Sequence, residues 1–328
     1  MKWHLSVAIN HKAHFQKILH RDKMLLIGSC FSEHLSKKLI GLKFQVVSNP
    51  FGILYNPKSI EKAISHIIDV KEYSIQELCF EEDVYFSLDH HTQFNNASAA
   101  KILEQINQNI HQAHQQLKNA KCLFITFGSA FYYQLNVTHQ VVGNCHKMAD
   151  NRFSLYRDNA VEIKIRYQQL FEKIAALNPS IQIILTVSPV RHWKHGAANN
   201  NWSKAILIDA VRQLTEENTF VHYFPSYEIM MDELRDYRFY EEDLLHPNQQ
   251  AVDFIWQRFR ESSIAKEHNQ LLEDISAINN AVLHRPFNAQ SKQHQQFIEN
   301  MLSKMDNLEK QHEYLDFSRE RQILRTHN

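Results

Sequence analysis

Four short apolar runs most constrain what this chain can fold into: Met24-Leu25-Leu26-Ile27 and the segments 122–127, 181–187 and 219–224. They have strand length, and the first is apolar throughout. Such runs lack the apolar–polar alternation of a sheet with one face in water, so they read as strands covered on both faces. Between them, apolar residues recur every three or four positions over residues 59–69, 97–119, 158–177, 202–218 and 247–260, which predicts helices. Strands alternating with helices imply an α/β architecture: an open parallel sheet in three layers. The segment Val84-Tyr85-Phe86-Ser87-Leu88 reads either as an extra antiparallel strand or as an irregular insertion.

Glycine sharpens the reading. The chain has six in 328 residues, against about 23 at ordinary usage of roughly 7%. A residue this scarce is expected where the backbone needs it, because only glycine enters left-handed or crowded conformations without steric cost. Gly28 closes the first apolar run, and Phe31, Leu35 and Leu39 follow at helical spacing. Gly28-Ser29-Cys30 is therefore a strand-to-helix turn.

From residue 262 onward no buried-strand pattern appears. Phe297, Met301, Met305 and Leu308 recur at three- and four-residue spacing among Gln, Lys and Glu. That pattern predicts a helical C-terminal extension, residues 262–328, following an α/β domain over residues 1–261. The apolar stripe suits packing on the main domain or on a second subunit, which leaves a homodimer open.

Lys plus Arg total 36 and Asp plus Glu total 36. A formal charge of zero gives no global field to draw the chain onto nucleic acid or an anionic membrane, so a small-molecule partner is expected. Residues 1–20 lack the apolar run of a signal peptide and no later stretch reaches 18 apolar residues, which points to a cytoplasmic protein. The cysteines at 30, 79, 122 and 145 have no zinc-ribbon or disulfide spacing, and the 21 histidines show no His-Glu-x-x-His pattern. Neither a metal nor a cofactor is expected.

In open α/β sheets ligands bind beyond the carboxyl ends of the strands, so the strand-ending turns hold the candidates for chemistry. Cys30 lies in such a turn at a helix start, where N–H groups and the helix dipole favour a thiolate and lower its pKa. The position equally suits a small buried cysteine packed under the turn. The second constellation is Asp243-Leu244-Leu245-His246-Pro247. Three residues of loop let the Asp243 carboxylate reach one ring nitrogen of His246 and leave the other free to take a proton. The same pair could also merely cap the helix that follows.

Gly28-Ser29-Cys30-Phe31-Ser32 resembles the motif after which the GSCFA family is named, with Ser32 where that motif ends in alanine. This family is similar to the SGNH, or GDSL-like, hydrolases. The resemblance implies a flavodoxin-like sheet and places Cys30 at the nucleophile, with Asp243 and His246 on the last block, Asp-x-x-His. Asn49-Pro50-Phe51-Gly52 looks like the second block, which would make the Gly52 N–H an oxyanion donor, a role worth roughly 3 kcal/mol. Thr186 to Val190 resembles the strand before the fourth block and puts His192 at the pocket wall.

One block departs from the pattern. Phe127-Gly128-Ser129-Ala130 has alanine where the third block of SGNH proteins has an asparagine that donates to the oxyanion. Ser129 remains near the pocket, and Gly143-Asn144-Cys145-His146 offers Asn144 or His146 as a substitute. Ser29 is an alternative nucleophile if the turn is shifted by one residue.

Three functions follow. The first is acyl transfer, as an esterase or O-acyltransferase acting on a small or carbohydrate ester through a thioester on Cys30. The second is an inactive SGNH-like binding or scaffold protein. The third is a metal or redox site assembled from Cys30, Cys145, His146 and His246.

Overall fold

Successive residues of the buried strands enter two different cores. In the computed structural model, which describes residues 9, 15–285 and 290–326, β1 (Lys23–Gly28) points Leu25 and Ile27 into one core and Met24 and Leu26 into the other. The third central strand, β3 (Cys122–Phe127), does the same with Leu123 and Ile125 against Cys122 and Phe124. Two buried faces explain why these strands read as apolar runs. The other central strands are β2 (Gln45–Ser48), β4 (Gln182–Val187) and β5 (Val221–Tyr223).

All five pair in parallel in the order β5-β4-β3-β1-β2. The chain leaves β1 for one edge and then crosses back to β3, so the switch point lies between these two strands, which pair Gly28 with Thr126. A crevice is expected at their carboxyl ends. The first core is closed by α2 (Pro57–Ile68), α3 (Ala99–Asn119), α4 (Ala160–Leu177) and α5 (Ala197–Glu217). The second is closed by α1 (Cys30–Gly41) and α6 (Gln249–Ser263), together with the C-terminal helices α7 (Asn269–Leu283), α8 (Lys292–Gln311) and α9 (Ser318–Thr326). The three-layer α/β reading therefore holds.

The apolar stripe of α8 lies on this second core. Met305 and Leu308 are buried there, with Phe297 and Met301 packed at its edge, in the same core as Leu26, Phe31 and Leu35. Strand β2 escaped the sequence reading because Gln45 and Ser48 break its apolar character and all four residues are only half-buried. Of the two readings of residues 84–88, the strand is the one observed: Val84–Phe86 pairs antiparallel with Cys79–Glu81. A second small antiparallel sheet, Phe131–Leu135 with Val141–Val142 and Phe153–Arg157, was not anticipated. Helix α5 starts at Ala197, five residues before the expected 202, after Gly196 in a left-handed conformation (φ 84°).

The reading of the N-terminal segment falls, over residues 1–8 and 10–14, outside the described residues. Among the described residues no helix is long and apolar enough to cross a membrane.

Candidate functional site

The turn after β1 admits only glycine at position 28. Gly28 has φ 142°, and a Cβ there would sit 2.2 Å from the Thr126 carbonyl oxygen on the neighbouring strand. Its N–H donates to Asn49 Oδ1 (2.9 Å), and its carbonyl accepts from Leu54 N–H (3.0 Å). Ser29 follows in extended conformation as the N-cap of α1, so Cys30 is the first helical residue. Ser29 Oγ is sealed from solvent and bonds to nothing among the described residues, whereas the Cys30 side chain is half-buried.

The helix start does not lower the Cys30 pKa as expected. Burial pushes the thiol up; the Lys204 charge and the N–H groups of Phe31 and Cys30 pull the other way, and Glu33 adds to the rise. Desolvation of a thiolate outweighs a helix terminus when the sulfur lies this deep.

Asp243 and His246 meet as the spacing implies. Asp243 Oδ2 lies 2.5 Å from His246 Nδ1, and Oδ1 accepts from the N–H groups of Leu245 and His246, both at 2.9 Å. The backbone N–H of His246, its ring and the Leu245 N–H together hold the Asp243 carboxyl down at about 2. Leu244 takes a left-handed conformation (φ 58°) to close this loop, and Glu241 N–H bonds the His246 carbonyl at 2.8 Å. Asn248, not a residue before Pro247, caps α6, its Oδ1 accepting from Ala251 N–H.

Cys30 and His246 line one cavity of about 450 Å³ at the switch point, formed also by Ser29, Ser129, Asn144 and His192. Among the described residues no hydrogen bond joins Cys30 Sγ to His246. Ser129 Oγ accepts from Phe131 N–H at 3.1 Å. Asn144 is tied by its Oδ1 to His146 N–H at 2.8 Å, and His192 donates its backbone N–H to Asn200.

Two expected members are elsewhere. The Gly52 N–H is already bonded to the Asn49 carbonyl (2.7 Å) in a tight turn, and a Cβ on Gly52 would meet His91 Cβ at 2.3 Å, away from the cavity. Gly52 is therefore a turn residue and its N–H is not free for an oxyanion. His146 stacks on Phe86 with its Nε2 2.9 Å from the Ser87 carbonyl oxygen, and it does not line the cavity. This breaks up the Cys30, Cys145, His146 and His246 ligand set. Among the described residues no three His, Cys, Asp or Glu side chains are grouped to hold a metal ion.

The structure adds residues that the sequence reading missed. Ala130 indeed leaves no amide in the third block, its N–H donating to Ser203 Oγ at 2.8 Å. Another amide reaches the cavity wall, from the loop after Gly52. Leu54 N–H is bonded to Gly28, and the Tyr55 carbonyl accepts from both Gly128 and Ser129 N–H groups, which pins residues 54–55 between β1 and β3. Asn56, next in the chain, caps α2 through Oδ1, which accepts from Ser59 N–H, and lines the cavity. Its Nδ2 has no partner among the described residues. Asn-Pro ahead of an apolar helical stripe was the available signal.

Lys204 is the second omission. Only 2% exposed, its Nζ donates to the carbonyls of Gly128 (2.9 Å) and Ser188 (2.7 Å), behind the cavity wall. Desolvation lowers its pKa to about 7, partly offset by Cys30. A lysine in register with Leu207, Val211 and Leu214 on the buried stripe of α5 was the sequence clue.

Family models match most of the chain: the GSCFA family over residues 23–259, and the GSCFA domain protein, C-terminal domain, over residues 275–327. A search of curated proteins finds no match. Similar solved structures include a carbohydrate esterase family 3 protein from Talaromyces cellulolyticus, at 10% identity and a TM-score of 0.35, covering 77% of this chain and 99% of that one. An acetyl xylan esterase (Est2A) from the rumen bacterium Butyrivibrio proteoclasticus has 10% identity and a TM-score of 0.36, covering 74% and 64%. A mutant acetyl esterase with acetate ion has 12% identity and a TM-score of 0.34, covering 77% and 99%.

Proposed function

We propose that this chain, which belongs to the GSCFA family, is an acyl-transfer enzyme, an esterase or O-acyltransferase acting on a small or carbohydrate ester. The observation that carries the proposal is one cavity lined by both Cys30, at the start of α1, and His246, oriented by Asp243. Cys30 is preferred to Ser29 because it is only half-buried on the cavity wall, whereas the serine hydroxyl is sealed.

In the proposed reaction the sulfur of Cys30 attacks the ester carbonyl while Nε2 of His246 takes the thiol proton. The oxyanion accepts from N–H groups at the start of α1 and from the Asn56 amide, with Asn144 as a second amide on the cavity wall. Collapse breaks the carbon–oxygen bond to the alcohol, which leaves with the proton from His246. A thioester remains on Cys30. Water or a second alcohol then attacks it, its proton passing to His246, and the thiol is restored. Lys204 acts behind the wall by fixing the carbonyls of Gly128 and Ser188 and by opposing the desolvation of the thiolate.

The test is mass spectrometry of the protein quenched with acid during turnover of an acetyl ester. An acetyl adduct on Cys30 is expected. Turnover that survives both Cys30→Ala and His246→Ala overturns the assignment. A second reading, a binding pocket without turnover, is favoured by the raised Cys30 pKa. Saturable binding of the ester without product supports it.

A further inference from the structure

The charge lining the cavity is one-sided. Arg191 and Lys194 contribute to its wall together with His192, His195 and His246, and among the described residues no aspartate or glutamate lines it. The chain as a whole carries equal numbers of acidic and basic residues, so this is a local excess. The acidic groups nearest in effect stand outside the wall: Glu33 toward Cys30, Glu228 toward Lys204 and Asp150 toward Lys194. Asp243 faces the opposite ring nitrogen of His246.

Arg191 is the clearest case. Its Nε is buried and has no hydrogen-bond partner, it forms no ion pair among the described residues, and its Nη2 donates one long hydrogen bond, to Asn201 Oδ1 at 3.4 Å. The guanidinium lies 5.4 Å from the Trp193 ring. A buried N–H left unpaired in a guanidinium is costly unless something else satisfies it. Lys194 is likewise without an ion pair among the described residues, its Nζ 5.2 Å from the Tyr133 ring. Arg191, Trp193 and Leu245 also border a second groove of about 590 Å³ that continues past Tyr237 and Tyr240. Arg191 thus stands at the junction between the cavity holding Cys30 and an aromatic-lined groove able to take the rest of a longer molecule.

Resting on the acyl-transfer reading above, we infer that the ester substrate carries an anionic group, a carboxylate or a phosphate, close to the scissile bond, and that Arg191 is the residue that selects it. A planar fork of donors beside a cavity free of carboxylates matches either anion, and the surrounding positive charge favours the encounter.

The experiment compares three O-acetylated sugars: glucose, glucuronate and glucose phosphate. At low ionic strength the KM for at least one anionic ester is expected to be about 10- to 100-fold below that for acetylglucose, the scale of a charge-assisted contact. The advantage shrinks as sodium chloride is raised and falls by about tenfold or more in Arg191→Gln. The better anionic ester tells carboxylate from phosphate. Equal kcat/KM for all three, or a preference unchanged in Arg191→Gln, overturns the inference and leaves acyl transfer standing. Where no ester is turned over, calorimetry with glucuronate, glucose phosphate and glucose decides. Binding of an anionic sugar alone, lost in Arg191→Gln, supports the anion site while the acyl-transfer reading falls; no binding overturns the site as well.

Discussion

The turn that bears Cys30 and the loop that bears His246 solve opposite problems. The turn is clamped by long-range contacts: Gly28 against Thr126, Asn49 bonded to Gly28, Leu54 bonded back to its carbonyl. It is held in place at the expense of burying the thiol, whose pKa rises. The loop is held by its own neighbours, with Asp243 bonded to Leu245 and His246, and both side chains of the pair are about half exposed. A carboxylate so placed keeps its charge easily, and its pKa falls. Cys30 is positioned by the sheet and lies on the dry side of the cavity; His246 is positioned by local backbone and stays about half exposed on the wet side. In the acyl-transfer reading proposed above, the cavity that both line would let the solvated partner take the proton that the dry one gives up poorly.

The largest expected effect tests the dry side. Cys30→Ala should lower kcat/KM for an ester by at least about 10⁴-fold, as losing a nucleophile does, and a smaller loss would shift the chemistry away from the turn. Asn56→Ser comes next. Serine retains an oxygen to cap α2, so a drop of about 10²- to 10³-fold in kcat with an unchanged melting temperature would isolate the amide as an oxyanion donor. An unchanged kcat would return that role to Asn144 or to backbone alone.

Asp243→Asn probes the wet side. Its backbone bonds can persist while the ring loses its charged partner, and solvent screens much of that charge, so a loss of about 10²-fold is expected, below the deficit of Asn56→Ser at its upper end. A much larger loss would mean that the loop is dry when substrate is bound. The smallest signal concerns Lys204. Its folded pKa, near 7, lies below the 10.5 of a free lysine. Between those values the unfolded chain binds more protons, so the stability of the wild type should rise with pH across that window. Urea midpoints measured against Lys204→Met, which lacks this slope, check the sign.

What could be read beforehand followed physical locality. Strands β1, β3 and β4 were legible because burial on both faces fills them with runs of apolar residues, whereas β2 carries Gln45 and Ser48 at a half-buried edge. Asp243 and His246 are three residues apart, so spacing alone brought them together. Cys30 was placed by its turn, but its titration was not, since that depends on burial and on Lys204, 174 positions away in the chain. Asn56 was legible as a helix cap but not as a residue of the site, for a similar reason: the bonds to Gly28 and from Gly128 and Ser129 that press its loop against the site come from distant parts of the chain. Gly52 was misread because a glycine beside a proline signals a turn whether or not its N–H is free.

The second core contains an order of events in synthesis. Leu26, Phe31 and Leu35 share that core with Met305, Leu308, Phe317 and Leu324, which follow them by 270 positions or more in the sequence. Synthesis must therefore pass residue 324 before that core is complete, and a polypeptide broken off before residue 305 would leave its apolar residues open to chaperones and proteases.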